Sequence, residues 1–495
     1  MELLMEGLSL VMHWNVLLIL CLGVILGIVI GALPGLTATM GVALLLPFTF
    51  GAHPVTGILL LIGVYCGGIY GGSISAILLR TPGTSAAAAT VMDGYPLTQR
   101  GLGYKALTVS TMSSAIGGAL SVIVLVLVAP ELAAFSLRFS APEMFALAVF
   151  GLSIISSISG ESLLKGLISG LFGLLIATVG LDPMAGFPRY TFGQVNLMNG
   201  VELVPAVIGL FAASQAFRLM EDLHGKDVIE KVVQKVRLTW REFRGLITTI
   251  LRSAGIGVFI GAMPGAGGDI AAFVAYNETR RFSRNKEEFG KGRLEGVAAP
   301  ESANNASTGG AMIPLLSLGI PGDAVTAVLL GAFLVQGLQP GPGLFQNSGD
   351  IVHALFIGMF LANVLLLVFG LSGIRLFTKV LMVPKSVLVP VILVLCVVGS
   401  YTLGNNMFNV WVMLAAGVAG YLMERYGFPV SPIVLAIILG PMMESNLRRA
   451  LIMSQGDAGI FFTRPISLIL LIIAAATLLW PIAVNWRKHR KETQT

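Results

Sequence analysis

Apolar runs approaching the roughly 20 residues that cross a bilayer recur along the whole chain, at 16–33, 121–134, 163–179, 352–371, 387–398 and 466–484. They predict an all-α polytopic membrane protein with about ten to twelve membrane segments, counting those broken within the membrane. The interruptions are patterned too. Gly31-Ala32-Leu33-Pro34-Gly35 recurs as Gly261-Ala262-Met263-Pro264-Gly265, and each is followed by a second interruption: Gly71-Gly72 then Thr81-Pro82-Gly83, and Gly309-Gly310 then Ile320-Pro321-Gly322. A helix broken in lipid leaves N–H and C=O groups without partners, which is tolerated only where they face protein, a cavity or a bound solute. Four Pro-Gly-broken or re-entrant helices, two per half, therefore predict the walls of a translocation site.

The likeness between the halves extends past these motifs. Ser140-Ala-Pro-Glu-Met-Phe-Ala-Leu-Ala-Val leads through 156–160 to a long apolar run, much as Val383-Pro-Lys-Ser-Val-Leu-Val-Pro leads through 399–404 to another, and Gly186-Phe-Pro and Gly427-Phe-Pro close the two stretches. Two homologous repeats are expected at 14–217 and 246–446, with a further transmembrane helix at 465–486. Between the repeats, 218–244 holds seven Lys/Arg and five Asp/Glu, with Ile229, Val232, Val233, Val236, Trp240 and Phe243 spaced near one helical face. This linker, 218–245, reads as an amphipathic helix on the membrane surface or as a solvated linker helix.

Composition agrees with the membrane class. Hydrophobic residues make up 55% of the chain and charged residues only 11%, against about 25% charge in a soluble domain; the mean hydropathy is +0.87. The 60 glycines fit close helix packing and helix breaking. The net charge of +6 sits mostly in short polar segments and reflects topology rather than nucleic-acid binding. Lys and Arg are retained on the cytoplasmic side, so Arg487-Lys488-His489-Arg490-Lys491, the linker and 280–293 are expected in the cytoplasm. With Met1 outside, each half crosses an odd number of times and the repeats are inverted; Arg448, Arg449 and Arg464 oppose that scheme. Glu2 and Glu6 before the first apolar run, and the lack of a cleavage-like site, argue against a removed signal peptide. Cys21, Cys66 and Cys396 have no ligand spacing and read as packing residues. The five histidines form no metal-ligand pair, and no Gly-x-x-x-x-Gly-Lys-Ser/Thr loop occurs, so neither an enzyme nor a directly ATP-driven pump is expected.

Candidate chemistry gathers at the breaks. A helix starting after Pro34 and Gly35 points free N–H groups, with about half a positive charge, at whatever lies before it, and Thr37 and Thr39 add hydroxyls; the alternative is a structural kink. Glu301, Ser302, Asn304, Asn305, Ser307 and Thr308 place six polar side chains within eight residues, which is costly in lipid unless they face a cavity or ions. Their neutral oxygens, with unwound carbonyls, suit a monovalent cation; alternatively the segment is a polar helix start, capped by Ser302. Thr81-Pro82-Gly83-Thr84-Ser85 and Ile320-Pro321-Gly322-Asp323 read as tips of helix-break-helix hairpins. Arg80 beside the first either neutralises a carboxylate or snorkels to the interface. Asp269, Glu301 and Asp323 are candidates for a coupling ion or a proton, or ordinary caps.

Segment 31–50, 71–83 with Asp93-Gly94-Tyr95-Pro96, 261–277, Pro300-Glu-Ser-Ala-Asn-Asn-Ala-Ser-Thr-Gly-Gly310 and Gly319-Ile-Pro-Gly322 resemble the large membrane subunit of the tripartite tricarboxylate transporters, over nearly the whole chain. The resemblance implies a bacterial inner-membrane secondary transporter coupled to a cation gradient, sodium in the citrate systems. It also implies a small membrane subunit and a periplasmic solute-binding protein that delivers carboxylates, with dicarboxylates and aromatic acids within the family's range. On that basis Pro34, Gly35, Thr37, Thr39, Arg80, Pro82, Gly83, Thr84, Ser85, Pro264 and Gly265 are the expected carboxylate-binding residues, through N–H groups at Gly35 and Gly265 and the hydroxyls. Asn304, Asn305, Ser307 and Thr308, with carbonyls around Gly319, Pro321 and Gly322, are the expected sodium ligands. Sodium is the coupling ion and no other cofactor is expected. The rival readings are an anion-selective passive channel and a membrane enzyme or scaffold.

Overall fold

The computed structural model describes residues 2–153, 162–182, 184–221, 236–265, 267–374, 376–377, 381 and 383–492, with side chains described between Leu3 and Leu479. Among them, eight helices are long and apolar enough to cross a membrane, and six shorter apolar helices accompany them. Six of the eight carry apolar runs legible in the sequence or the breaks that follow them: Trp14–Ala32, Pro54–Leu79, Gly103–Ser136, Trp240–Gly261, Gly349–Ser372 and Lys385–Thr402. Pro54–Leu79, buried along its whole membrane-length window, is interrupted by too many glycines and serines to stand out as an apolar run. The run at 163–179 forms a helix of only 15 residues, Leu163–Ala177, and the C-terminal helix extends over Pro465–Glu492. Half of the linker helix expected at 218–245, residues 222–235, lies outside the described residues, as does 156–160. Trp240 and Phe243 do not belong to it: they open the membrane helix Trp240–Gly261, capped by Thr239 and Glu242 in a capping box.

The chain divides into two compact units, Met1–Ala134 with Phe211–Asn406, and Phe135–Leu210 with Met407–Thr495. Each unit thus draws on both predicted halves.

The first unit holds all four breaks. Its relevant helices are α1 (Trp14–Ala32), α2 (Ala38–Leu45), α3 (Pro54–Leu79), α4 (Ala87–Gln99), α5 (Gly103–Ser136), α6 (Trp240–Gly261), α7 (Gly267–Phe282), α8 (Glu295–Leu318) and α9 (Ala324–Val335). Helices α1 and α3 pack backbone on backbone because glycines spaced four apart share one face. A Cβ at Gly23, Gly27 or Gly31 would lie 2.4, 2.6 or 2.2 Å from the carbonyl oxygens of Leu60, Val64 and Gly68. The contacts recur between α6 and α8: a Cβ at Gly257 or Gly261 would lie 2.2 or 2.5 Å from the oxygens of Ala303 and Ser307. With little apolar driving force between helices in lipid, such close approach supplies the dispersion energy that holds each pair.

In the second unit, Ser431–Met453 packs against both Ala141–Ser153 and Leu163–Ala177. A short hairpin pairs Gly180–Leu181 with Pro188–Arg189 in antiparallel register. Asp182 in that loop accepts from the Ala185 and Met184 N–H groups at 2.8 and 2.9 Å and from Arg448 at 2.8 Å, which together hold its carboxyl well below the usual carboxylate range. Arg448 also meets Glu444 at 2.7 Å, and Arg464 meets Glu143 at 3.2 Å.

Candidate functional site

Each break is a local consequence of proline and glycine. Helix α1 ends at Ala32, Leu33 turns extended, and Gly35 takes φ +86°, a left-handed conformation that a side chain would strain. Thr37 then caps α2, accepting from the Met40 N–H at 3.2 Å. The carbonyl of Gly35 accepts from Gln215 Nε2 at 2.7 Å; Pro34 and Thr39 are partly exposed beside it. At the second break Arg80 ends α3 with φ +60°. It is exposed and lies over the Tyr95 ring, 5.9 Å from its centroid. Pro82 is exposed too, whereas Gly83 is buried: its N–H donates to the Gly72 carbonyl at 3.3 Å, and a Cβ would come 2.3 Å from the Gly31 carbonyl oxygen. Thr84 accepts from the Ala87 N–H at 3.3 Å.

The second-half breaks are joined directly. Gly265, at φ +81°, donates its N–H to the Gly322 carbonyl at 2.6 Å. This corrects one expectation: that N–H is already engaged and is not a free donor for a carboxylate. Pro264 stands partly buried beside it, while Ile320, Pro321 and Gly322 are buried. Gly319 ends α8 in the left-handed conformation, φ +71°, under the Pro340 carbonyl. Asp323 caps α9 through the Thr326 N–H at 2.7 Å.

Two contacts tie the pairs of breaks together. Tyr65 of α3 donates to Asp323 Oδ2 at 2.6 Å. Asp269, in the first turn of α7, lies against the Ser85 hydroxyl and the Ala86 N–H at the start of α4. A third tie is Asp93, whose Oδ1 accepts from Gly290, Gly292 and Arg293 N–H groups at 3.0, 2.8 and 2.8 Å while Oδ2 accepts from Tyr276 at 2.9 Å. The Asp93-Gly94-Tyr95-Pro96 motif therefore anchors the loop before α8.

The polar string 301–308 is neither a break nor a helix start. Helix α8 runs unbroken from Glu295 to Leu318, and Ser302, far from any cap, donates to the Ile250 carbonyl at 2.8 Å. Proline at 300 and 314 does not break it. Ser307 and Thr308 give their hydroxyl protons to the Asn304 and Asn305 carbonyls, both at 2.7 Å, leaving oxygen lone pairs as what they offer. Asn305 Nδ2 donates to the Glu301 carbonyl at 3.3 Å. Asn304 is 1% exposed, and neither its Nδ2 nor its Oδ1 has a partner among the described residues. Gly268, opening α7, faces it so closely that a Cβ would lie 2.3 Å from Asn304 Oδ1 and 2.9 Å from Ser307 Oγ; Gly267 lies next to Asp323. Tyr65 and Gln215 lie outside the motifs that the sequence marks, and Gly268 lies within the 261–277 motif but not among the expected ligands. The available signal for the first two was polarity within or beside an apolar segment.

A profile of the tripartite tricarboxylate transporter TctA family matches residues 17–435. The chain belongs to this family. An uncharacterized 52.8 kDa protein in the TAR-I ttuC' 3' region of Agrobacterium vitis is 39% identical over 468 residues, covering 94% of this chain and 93% of its own length. An uncharacterized protein in the TAR-II ttuC' 3' region of the same organism is 38% identical over 236 residues, 48% of this chain and 98% of its own length. No solved structure matches the chain. Membership makes it a multi-pass membrane component of a tripartite system, a transporter family whose systems also contain a binding protein and a small subunit.

Proposed function

We propose that this protein takes up an organic carboxylate, whether tricarboxylate, dicarboxylate or aromatic acid, by secondary-active transport driven by a sodium gradient. It is the permease of a binding-protein-dependent system in the bacterial inner membrane, with its C-terminus in the cytoplasm. The observation that carries the reading is Asn304, a buried amide with both polar atoms unpartnered among broken helices. A buried polar group without a hydrogen bond costs about 1–3 kcal/mol, and a ligand that uses both atoms explains its retention.

The donors sort by charge. Asn304 Oδ1, the Ser307 and Thr308 oxygens, whose protons point to backbone carbonyls, and the nearby Asp323 and Asp269 carboxylates form a hard-oxygen set that fits a monovalent cation. Asn304 Nδ2, Thr39 and the free first-turn N–H groups of α2 and α7 suit a substrate carboxylate, beside Pro34 and Gly35. The sodium and the carboxylate then share one amide, which couples their binding. Repeats 14–217 and 246–446, inverted in the membrane, supply the two sides for alternating access.

Uptake into proteoliposomes, with the cognate binding protein and with sodium and proton gradients varied separately, tests this. Accumulation of citrate, another carboxylate or an aromatic acid that collapses without a cation gradient is expected. Flux that only equilibrates the solute makes the protein a passive anion channel instead.

A further inference from the structure

One turn before Asn304, helix α8 carries a second polar centre that the carboxylate and sodium reading does not use. Glu301 is fully buried. Its Oε1 accepts from Thr90 of α4 at 2.5 Å; its Oε2 accepts from Ser114 and Ser110 of α5 at 3.0 and 3.2 Å. Ser73 of α3 completes the ring, 2.7 Å from Ser110 Oγ. The remaining titratable group facing it is the Tyr70 phenol, itself bonded to Thr111 at 2.7 Å. None of the described ion pairs involves Glu301.

Hydroxyl groups alone are an unusual shell for a buried carboxyl. A structural carboxylate in a low-dielectric interior is ordinarily paired with a cation, because its desolvation is otherwise uncompensated. Asp182, Glu143 and Glu444 of this chain each have an arginine, and the buried Asp93 has three backbone N–H donors; Glu301 has neither. A hydroxyl, by contrast, donates or accepts by rotating about one bond. Around an ionised Glu301 the three hydroxyls donate; around the acid, one turns to accept its O–H. Both states are satisfied with no heavy atom moved. The oxygen spacings are hydrogen-bond lengths, so the shell is closed around a proton rather than opened around a metal ion.

We propose that Glu301 binds a proton that is carried with the substrate. The proton forms an O–H bond to a carboxylate oxygen on one side of the cycle and returns to water on the other, with no redox change. This deepens the transport reading above and rests on it.

The test uses the full chain in proteoliposomes with its binding protein and small subunit. Substrate uptake, sodium uptake and external pH are followed for the wild type and for Glu301→Gln, alongside substrate counterflow, which needs no net ion movement. The wild type is expected to alkalinise the external medium in step with substrate uptake. In the Gln variant that proton signal falls to background while counterflow persists. Thr90→Val with Ser114→Ala, which leave Glu301 in place, move the pH midpoint of uptake upward because donors to the charged form are lost. Wild-type uptake without proton movement, or proton movement kept in the Gln variant, overturns the proposal. If the Gln variant does not insert, an unchanged pH midpoint in the hydroxyl variants overturns it. Absence of any wild-type carboxylate uptake would instead sink the transport reading itself.

Discussion

The helix pair α1/α3 and the pair α6/α8 are built on one backbone plan and carry different side chains. Gly27 rests on Val64 and Gly257 on Ala303; Gly31 rests on Gly68 and Gly261 on Ser307. By these contacts Tyr65 and Asn304 occupy matching places, one residue after Val64 and Ala303. Tyr65 finds a partner in Asp323 across the halves, whereas Asn304 finds none. Thr84, at the place matching Asp323, makes the equivalent cap to the Ala87 N–H; Asp323 adds the bond from Tyr65. The glycines set the same close approach in both pairs, and the side chain at the matching place is bonded in one pair and unpartnered among the described residues in the other.

The strongest way to break the comparison is at its shared part. Gly31→Leu and Gly261→Leu each drive a side chain into the partner helix backbone and should cost about 3 kcal/mol or more. Both variants are expected to lose the monodisperse folded protein on size exclusion; a folded, active Gly261→Leu would show that the second pair does not depend on the same packing. Next comes the unshared part. Asn304→Ala should lower uptake about 100-fold, near 2.7 kcal/mol, yet leave the melting temperature unchanged or raised, since no hydrogen bond is removed. A clear loss of thermal stability there would make the asparagine structural.

Tyr65→Phe tests the matching place. Losing its bond to Asp323 should cost about 1–3 kcal/mol of stability and slow uptake about tenfold, so the two positions differ in which readout responds. Asp93→Asn weakens the anchor of the loop before α8 and should raise proteolytic cleavage at 283–294 about tenfold, with uptake less affected. The smallest effect belongs to Arg80→Ala. Exposed and stacked on Tyr95, it should change uptake by less than about twofold; a loss above about tenfold would put a substrate carboxylate at the second break.

Much of this was readable in the chain because proline and glycine act locally. The breaks after Ala32, Leu79, Gly261 and Leu318 follow from residues at those points. The string 301–308 misled for the same reason: polar residues, a proline and a glycine pair resemble a helix end. Inside the bundle, Asn305, Ser307 and Thr308 bond back to α8's own carbonyls, while Ser302 and Glu301 find partners on neighbouring helices, and the segment stays helical. Glu301 was noticed as a carboxylate, but its hydroxyl shell comes from residues roughly two hundred positions away in Thr90, Ser110 and Ser114, which no local pattern connects.

By itself, the sequence determined the membrane class, the family and the places where helices must stop, since hydropathy, motif and backbone freedom are properties of short segments. The tertiary structure alone decided that Gly265 closes on Gly322, that Tyr65 reaches Asp323, and that Asn304 is left unpartnered while Glu301 is enclosed. Hydrogen-bond satisfaction depends on what packing brings within about 3 Å, and packing joins residues that the chain holds far apart.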